Sequence, residues 1–315
     1  MIAVVHHPEY VAQPRSSGPY QPSKNAWIRD LLRESGRAID WVEPTPMPVA
    51  WLEAVHDPAY VAEVIEARVP PAKERRIGFG ITEPVARRAE RVPGGTFLSG
   101  LLALERGFAA NSAGGSHHAL ADTGAGYCVF NDLAIAAVRL VDEKHVGRVL
   151  VVDCDVHQGD GTAALTAGRV DIATYSIHAE KNFPARKARS TLDVSLPDGT
   201  GDDDYLDRLA ATLTPLLDQF GPGLILYQAG VDPFVDDRLG RLALTQAGLD
   251  ARDRLVAGLA RERGIGLAST PGGGYGPDAR EIAERHVRSI LTLADALTGF
   301  RPNTASCVEA AAARL

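Results

Sequence analysis

The stretch from residue 148 to residue 157 reads RVLVVDCDVH: an apolar run that turns acidic at Asp153 and Asp155 and then reaches His157. On an extended backbone, residues at i, i+2 and i+4 face one way, so the three side chains converge on a single point. Two carboxylates that close raise each other's pKa unless a cation sits between them. Carboxylate and imidazole together suit a divalent metal ion. A catalytic zinc takes three protein ligands and keeps one position open. Asp155 and His157 supply two, and Asp232, at the end of the apolar run LILYQAGVD, is the natural third. Taken singly, an Asp at a strand end is a helix cap, a His is a satisfied polar residue, and an Asp before Pro233 is a turn residue. The joint spacing argues for metal.

A second group surrounds this point. His117 and His118 are adjacent in the loop GGSHHA. They are metal ligands, surface residues, or imidazoles each oriented by a carboxylate. In the last case Asp153 and Asp160 are the carboxylates, which gives two Asp–His dyads beside an activated water. Tyr275 follows Gly272, Gly273 and Gly274, a run that lets backbone pass close to a ligand. A phenol there can donate to a forming oxyanion; a core tyrosine is the plainer alternative.

These residues fall where a particular architecture would put them. Apolar runs of strand length at 2–7, 39–42, 148–156, 172–177, 192–196, 224–228 and 265–269 alternate with helical patterns. The helical patterns cover 27–36, 51–68 (interrupted by Pro58), 96–110, 131–145, 202–220, 245–264 and 278–299, with a Gly-rich loop over 114–126. Such alternation predicts a mostly parallel sheet covered on both faces, and ligands bind such sheets at the carboxyl ends of the strands. One domain over 1–300 is expected, with 301–315 a tail of uncertain order.

Composition narrows the function classes. The chain has 315 residues, 45% hydrophobic and 23% charged, which suits a folded protein with a sizeable core. A net charge of −7 argues against direct nucleic-acid binding. Three scattered cysteines, Cys128, Cys154 and Cys307, fit a reducing compartment, and no run approaches the length of a membrane span, so a cytoplasmic protein is expected. Cys128 sits in an apolar run and reads as core. There is no G-x-S-x-G elbow. Residues 124–126 lack the third glycine of a dinucleotide fingerprint, and PGGGYG lacks the lysine of a P-loop.

Five blocks together resemble the histone deacetylase family, most narrowly its bacterial, class IV-like members and the related acetylpolyamine amidohydrolases. They are GGSHHA (114–119), GYCVFND (126–132), VVDCDVHQGDGT (151–162), QAGVDP (228–233) and PGGGYG (271–276), in the family's order. HDPAYVAEV near residue 56 has the same look. The resemblance implies a three-layer α/β arginase–deacetylase fold, with an eight-stranded, mainly parallel sheet flanked by helices. It implies zinc, or ferrous iron in the cell, on Asp155, His157 and Asp232. His118, paired with Asp160, would be the main general base and acid. His117, paired with Asp153, would support it electrostatically, and Tyr275 would polarise the substrate carbonyl. A structural potassium would lie near Asp153, Asp155 and His157, completed by Ser176 and Ile177. Tyr127, Phe183, Gly126 and Gly273 would wall a narrow tunnel.

The activity so implied is hydrolysis of an acyl amide on a lysine side chain, an acetylpolyamine or another small acyl-amine, with no membrane partner. An arginase-like dinuclear ureohydrolase and a non-catalytic acyl-lysine binder are the alternatives. The sequence departs from the family at Gln158, where many members carry a second His, and in the loop 182–189. That loop brings Arg186, Lys187 and Arg189 near the expected mouth, which suggests a preference for an acidic flank or an anionic acyl group.

Overall fold

A computed structural model describes residues 1–12, 14, 21 and 23–303. The eight strands are β1 (Ile2–Val5), β2 (Ile39–Val42), β3 (Phe108–Asn111), β4 (Val149–Asp153), β5 (Ile172–Ala179), β6 (Leu192–Leu196), β7 (Leu224–Gln228) and β8 (Gly266–Thr270). They form one sheet in the order β2-β1-β3-β8-β7-β4-β5-β6. Every neighbouring pair is parallel.

Because side chains alternate along a strand, the two faces of the sheet build two cores. In β4, Leu150 and Val152 pack on one side with helices Ser23–Glu34, Asp202–Phe220, Gln246–Glu262 and Ala279–Ala296. Val149 and Val151 pack on the other with the helices from Val49–Glu53 to Asp132–Asp142. Burial on both faces explains why these strands read as continuous apolar runs.

The structure corrects several boundaries. The expected helix over 96–110 is instead the end of a longer helix, Glu83–Arg106, closed by Gly107 at φ 92°, and the next residues form β3. That strand was the eighth, hidden because FAAN continues a helical apolar pattern. Pro58 does not kink a helix; it opens one, Pro58–Ile65, with the Asp57 carboxylate accepting from Ala59 N at 2.8 Å. The helix Pro71–Ile77 had no counterpart in the sequence reading. Most of the tail, residues 304–315, lies outside the described residues, and Cys307 with it. Among the described residues no helix is long and apolar enough to cross a membrane.

Candidate metal-dependent active site

Strands β3, β8, β7 and β4 are consecutive in the sheet. The carboxyl ends of these strands and the segments that follow them carry every predicted catalytic and metal-ligating residue. Sequence positions as distant as 117 and 275 thereby meet in one place.

Asp155, His157 and Asp232 offer ligand atoms within 4.8 Å of one another, and all three are buried. The Asp155 carboxylate is addressed from four directions. Its Oδ1 lies 3.0 Å from His157 N and 2.9 Å from His157 Nδ1. Its Oδ2 accepts from Gly273 N at 2.8 Å and Gln228 Nε2 at 3.1 Å. Asp232 Oδ1 accepts from Val156 N at 2.9 Å. Asp232 Oδ2 is buried without a hydrogen bond, although it lies 3.2 Å from His157 Nδ1. A fully buried carboxylate oxygen left in this condition is costly unless a cation completes it, so the donor set fits a divalent metal. The electrostatics agree. Burial and the Asp155 charge push Asp232 up to about 7. Burial opposes charge on His157, yet Asp155 and Asp232 outweigh it and raise the imidazole to about 10. The pocket calls for positive charge.

Asp153 does not join that point. β4 ends at Asp153, the chain leaves the sheet, and the carboxylate turns to His117, with Oδ2 2.7 Å from Nδ1. Its Oδ1 accepts from Asp155 N at 3.1 Å. The three-way convergence expected from i, i+2, i+4 spacing is therefore only two-way. The companion dyad is His118 Nδ1 with Asp160 Oδ1 at 2.6 Å. The two imidazole centroids are 4.0 Å apart, so the dyads share one electrostatic environment. Burial works against charge on His117, but Asp153 and Asp155 lift it to about 9. Burial and the His117 charge hold His118 down at about 3. The carboxylates thus favour the charged form of His117, while burial and His117 favour the neutral form of His118.

Tyr275 is clamped through its backbone. Its N–H donates to Asp237 Oδ2 at 2.6 Å, and its carbonyl accepts from Arg238 N at 3.0 Å. Asp237 in turn accepts from Leu239 N and Gly240 N. Burial, with the charges of Asp155 and Asp232, drives the phenol well above its ordinary range, so it stays a donor.

A cavity of about 340 Å³ opens over these groups, lined by His118, His157, Tyr275, Tyr127, Phe183 and Gly126. Phe183 stands edge-on to His118, with centroids 4.7 Å apart and planes at 87°. Tyr127 adopts φ 67°, a conformation that costs a non-glycine residue about 1–2 kcal/mol. Its N–H bond to Ile77 O at 2.7 Å holds it there. Gly126 is required: a Cβ would lie 2.6 Å from His118. Gly273 is placed deeper, in a smaller inner cavity, where a Cβ would lie 2.0 Å from Asp232 Oδ2. Ser176 pairs in register with Asp153, and Ile177 follows it in β5.

Several positioning residues escaped the sequence reading. Asn131 Nδ2 reaches His117 O at 3.3 Å and Thr162 Oγ1 at 3.1 Å. Asp132 accepts from Gly115 N and Ser116 N. Both lie in the quoted GYCVFND block, which was the available signal. Arg252 carried none. It is fully buried, bonds Gly230 O at 2.6 Å and Cys154 O at 3.3 Å, and pairs with Asp253. It ties together the loops that bear Asp155 and Asp232. Lys24 is buried too, and donates to Gly272 O at 2.7 Å.

Comparison with known proteins follows the same geometry. Residues 18–291 match the histone deacetylase domain family. An uncharacterised protein of Picosynechococcus sp. is 42% identical over 285 residues, covering 90% of this chain and 95% of that one. A probable deacetylase of Archaeoglobus fulgidus is 28% identical over 297 residues, covering 87% and 81%. The crystal structure of an acetylpolyamine aminohydrolase from Burkholderia pseudomallei superimposes with a TM-score of 0.76 at 23% identity, covering 96% of this chain and all of that one; the shared architecture is the arginase–deacetylase fold. By the extent of its domain match the chain belongs to the histone deacetylase family, whose members are deacetylases and related amidohydrolases.

Proposed function

We propose that this deacetylase-family enzyme hydrolyses an acyl amide, removing an acyl group, most simply acetyl, from a lysine side chain or a similar amine. Zn2+ would be held by Asp155, His157 and Asp232, with Fe2+ an alternative that these ligands do not discriminate sharply. The observation that carries the reading is an orphaned carboxylate oxygen of Asp232, 3.2 Å from His157, where His157, the dyad histidine His118 and the protonated phenol of Tyr275 line one cavity. The metal, when bound, supplies Lewis acidity toward a carbonyl and a water.

The side chains do the rest. Neutral His118 holds its Nδ1 proton against Asp160, which leaves Nε2 free to take a proton from water as it attacks. His117, whose charged form its partner Asp153 favours, supports the anionic tetrahedral species electrostatically, and the Tyr275 hydroxyl donates to its oxygen. As the C–N bond breaks, the proton taken up by His118 passes to the leaving nitrogen. The products are a free amine and a carboxylate. Tyr127, Phe183 and Gly126 would sheath the amine's aliphatic arm, and Gly273 would back the acyl end.

The same reading includes a potassium ion among Asp153, Asp155, His157, Ser176 and Ile177, supported by the register that sets Asp153 beside Ser176. A cytoplasmic location is supported by the free thiols of Cys128 and Cys154. An arginase-like dinuclear site is less well supported, since Asp153 is committed to His117. The test is turnover of a panel of acyl-lysine peptides, acetylpolyamines and small acyl-amines, with zinc and with ferrous iron. Release of free amine on at least one class is expected. Tight binding of these compounds without turnover would leave only a binding protein.

A further inference from the structure

The mouth of the 340 Å³ cavity is basic, and its basic groups lack carboxylate partners. Arg75 and Arg76, in the last turn of the helix Pro71–Ile77, line it from one side. On the other side Asn182 and Phe183 line it, and Arg186 and Arg189 follow them in the next residues of the loop without lining the cavity themselves. All four arginines are exposed and, among the described residues, none forms an ion pair. Some surface arginines elsewhere are neutralised, Arg37 by Asp295, Arg169 by Asp142 and Asp171, Arg241 by Asp198 and Arg263 by Asp218, whereas the exposed Arg208 and Arg254 are scattered singly without an ion pair. No described carboxylate lines the cavity. The nearby Glu74 accepts from Ile81 N at 2.7 Å.

The segments carrying these charges are anchored. Arg76 O accepts from Gly126 N at 3.2 Å, and Ile77 O from Tyr127 N at 2.7 Å. Across the cavity, Asn182 Nδ2 donates to Leu239 O at 2.9 Å, and Gln158 exchanges two hydrogen bonds with the Ala188 backbone. Lys187 has a different part from the one its sequence suggested. Its ammonium donates to Asn182 O at 2.6 Å and Pro184 O at 2.8 Å, folding the loop on itself. The charges facing outward are therefore the arginines. A pocket mouth lined by one sign of charge, here Arg75 and Arg76 with Arg186 and Arg189 on the adjoining loop, concentrates ligands of the other sign and repels its own, and this one sits on a chain of net charge −7.

We infer that the substrate is an acylated amine whose leaving portion carries carboxylates, as in an acyl-lysine flanked by Asp or Glu, and that polycationic amines are disfavoured. The inference rests on the amide-hydrolase reading. Guanidinium groups suit carboxylates through paired N–H donors, whereas a polyamine would bring further ammonium groups to a rim without a counter-charge.

The test compares kcat/KM for matched acetyl-lysine peptides with Asp/Glu or Lys/Arg flanks, for acetyl-lysine with a free carboxylate, and for an N-acetylpolyamine. Acidic flanks are expected to be preferred by about tenfold, mainly through KM, with the preference shrinking as salt rises. A preference among peptides alone places the carboxylates on flanking residues; one that extends to free acetyl-lysine shows that a single carboxylate suffices. In the variant Arg75→Gln/Arg76→Gln/Arg186→Gln/Arg189→Gln the preference should fall to within about twofold, while turnover of an uncharged acetyl-lysine peptide stays unchanged. Equal turnover of both flanks, preference for basic flanks or the polyamine, or a preference that survives in the variant would overturn the inference and leave the amide-hydrolase reading intact. Absence of turnover on every substrate would overturn both.

Discussion

The floor and the mouth of the pocket are charged in opposite senses and built on opposite principles. At the floor, Asp153, Asp155 and Asp232 are at most 3% exposed, and Asp153 and Asp155 are held by donors on each oxygen. At the mouth, Arg75 and Arg76 reach into water from a helix end without a carboxylate to hold them. Buried charge interacts strongly and demands compensation; solvated charge is screened and acts over a distance. The lesson is a division of labour. On the proposed function, the desolvated region would shift protons and hold a cation, while the solvated region would sort what approaches. Perturbation of the floor should therefore cost far more than perturbation of the mouth.

The largest effect is expected from His157→Ala or Asp232→Ala. Each would remove a proposed ligand and leave the remaining buried charges uncompensated, so bound metal and activity should vanish together; elemental analysis alongside an acyl-lysine assay checks this. Arg252→Ala comes next. Arg252 and Asp253 are a buried pair, 0% and 1% exposed, and deleting one partner of such a pair costs about 3–5 kcal/mol. Denaturant unfolding should show that loss, with partial recovery in Arg252→Lys. If stability is unchanged, the tie between the β4 and β7 loops is not structural. Tyr275→Phe should lower kcat by about 100-fold, the scale of one oxyanion donor, while metal content stays at the parent level. An undiminished rate would remove the phenol from the mechanism.

The smallest effect concerns a buried histidine outside the charged floor. His56 Nε2 accepts from Asn131 N at 3.0 Å, so Nδ1 carries the proton and donates to Leu120 O at 2.8 Å. Burial lowers this imidazole to about 4. A folded pKa below the unfolded value of about 6.5 means that the unfolded chain binds the proton first, so stability falls as pH drops from 6.5 toward 4. The contribution is about 1.4 kcal/mol per pH unit across that window. Between unfolding curves taken at pH 7 and pH 5, His56→Asn should therefore flatten the decline by about 2 kcal/mol.

The contrast between floor and mouth also explains what could be read in advance. The meeting of Asp155, His157 and Asp232 was legible because charge follows directly on apolar strands there, and the structure brings their ligand atoms within 4.8 Å. β2, β6, β7 and the helix Asp202–Phe220 were legible to the residue, since turn-forming residues bound them. β3 was not, because Gly107 is a weak break between apolar stretches. Arg252 was invisible for a different reason. Within DARDRL it resembles any solvated helix charge, and only the packing against Gly230 and Cys154 reveals it. Lys187 shows the reverse error, a basic residue that looked free and is hydrogen-bonded to its own loop. Charge is easy to see in a sequence; its solvation is decided in three dimensions.

Metal titration of the stripped protein, followed by stoichiometry and hydrolysis of an acetyl-lysine peptide in the same samples, tests the central claim most directly. One catalytic divalent ion per chain, with hydrolysis rising in proportion to it and absent from Asp155→Ala, is the predicted result. Two catalytic ions per chain, or full hydrolysis in the stripped protein, would contradict it.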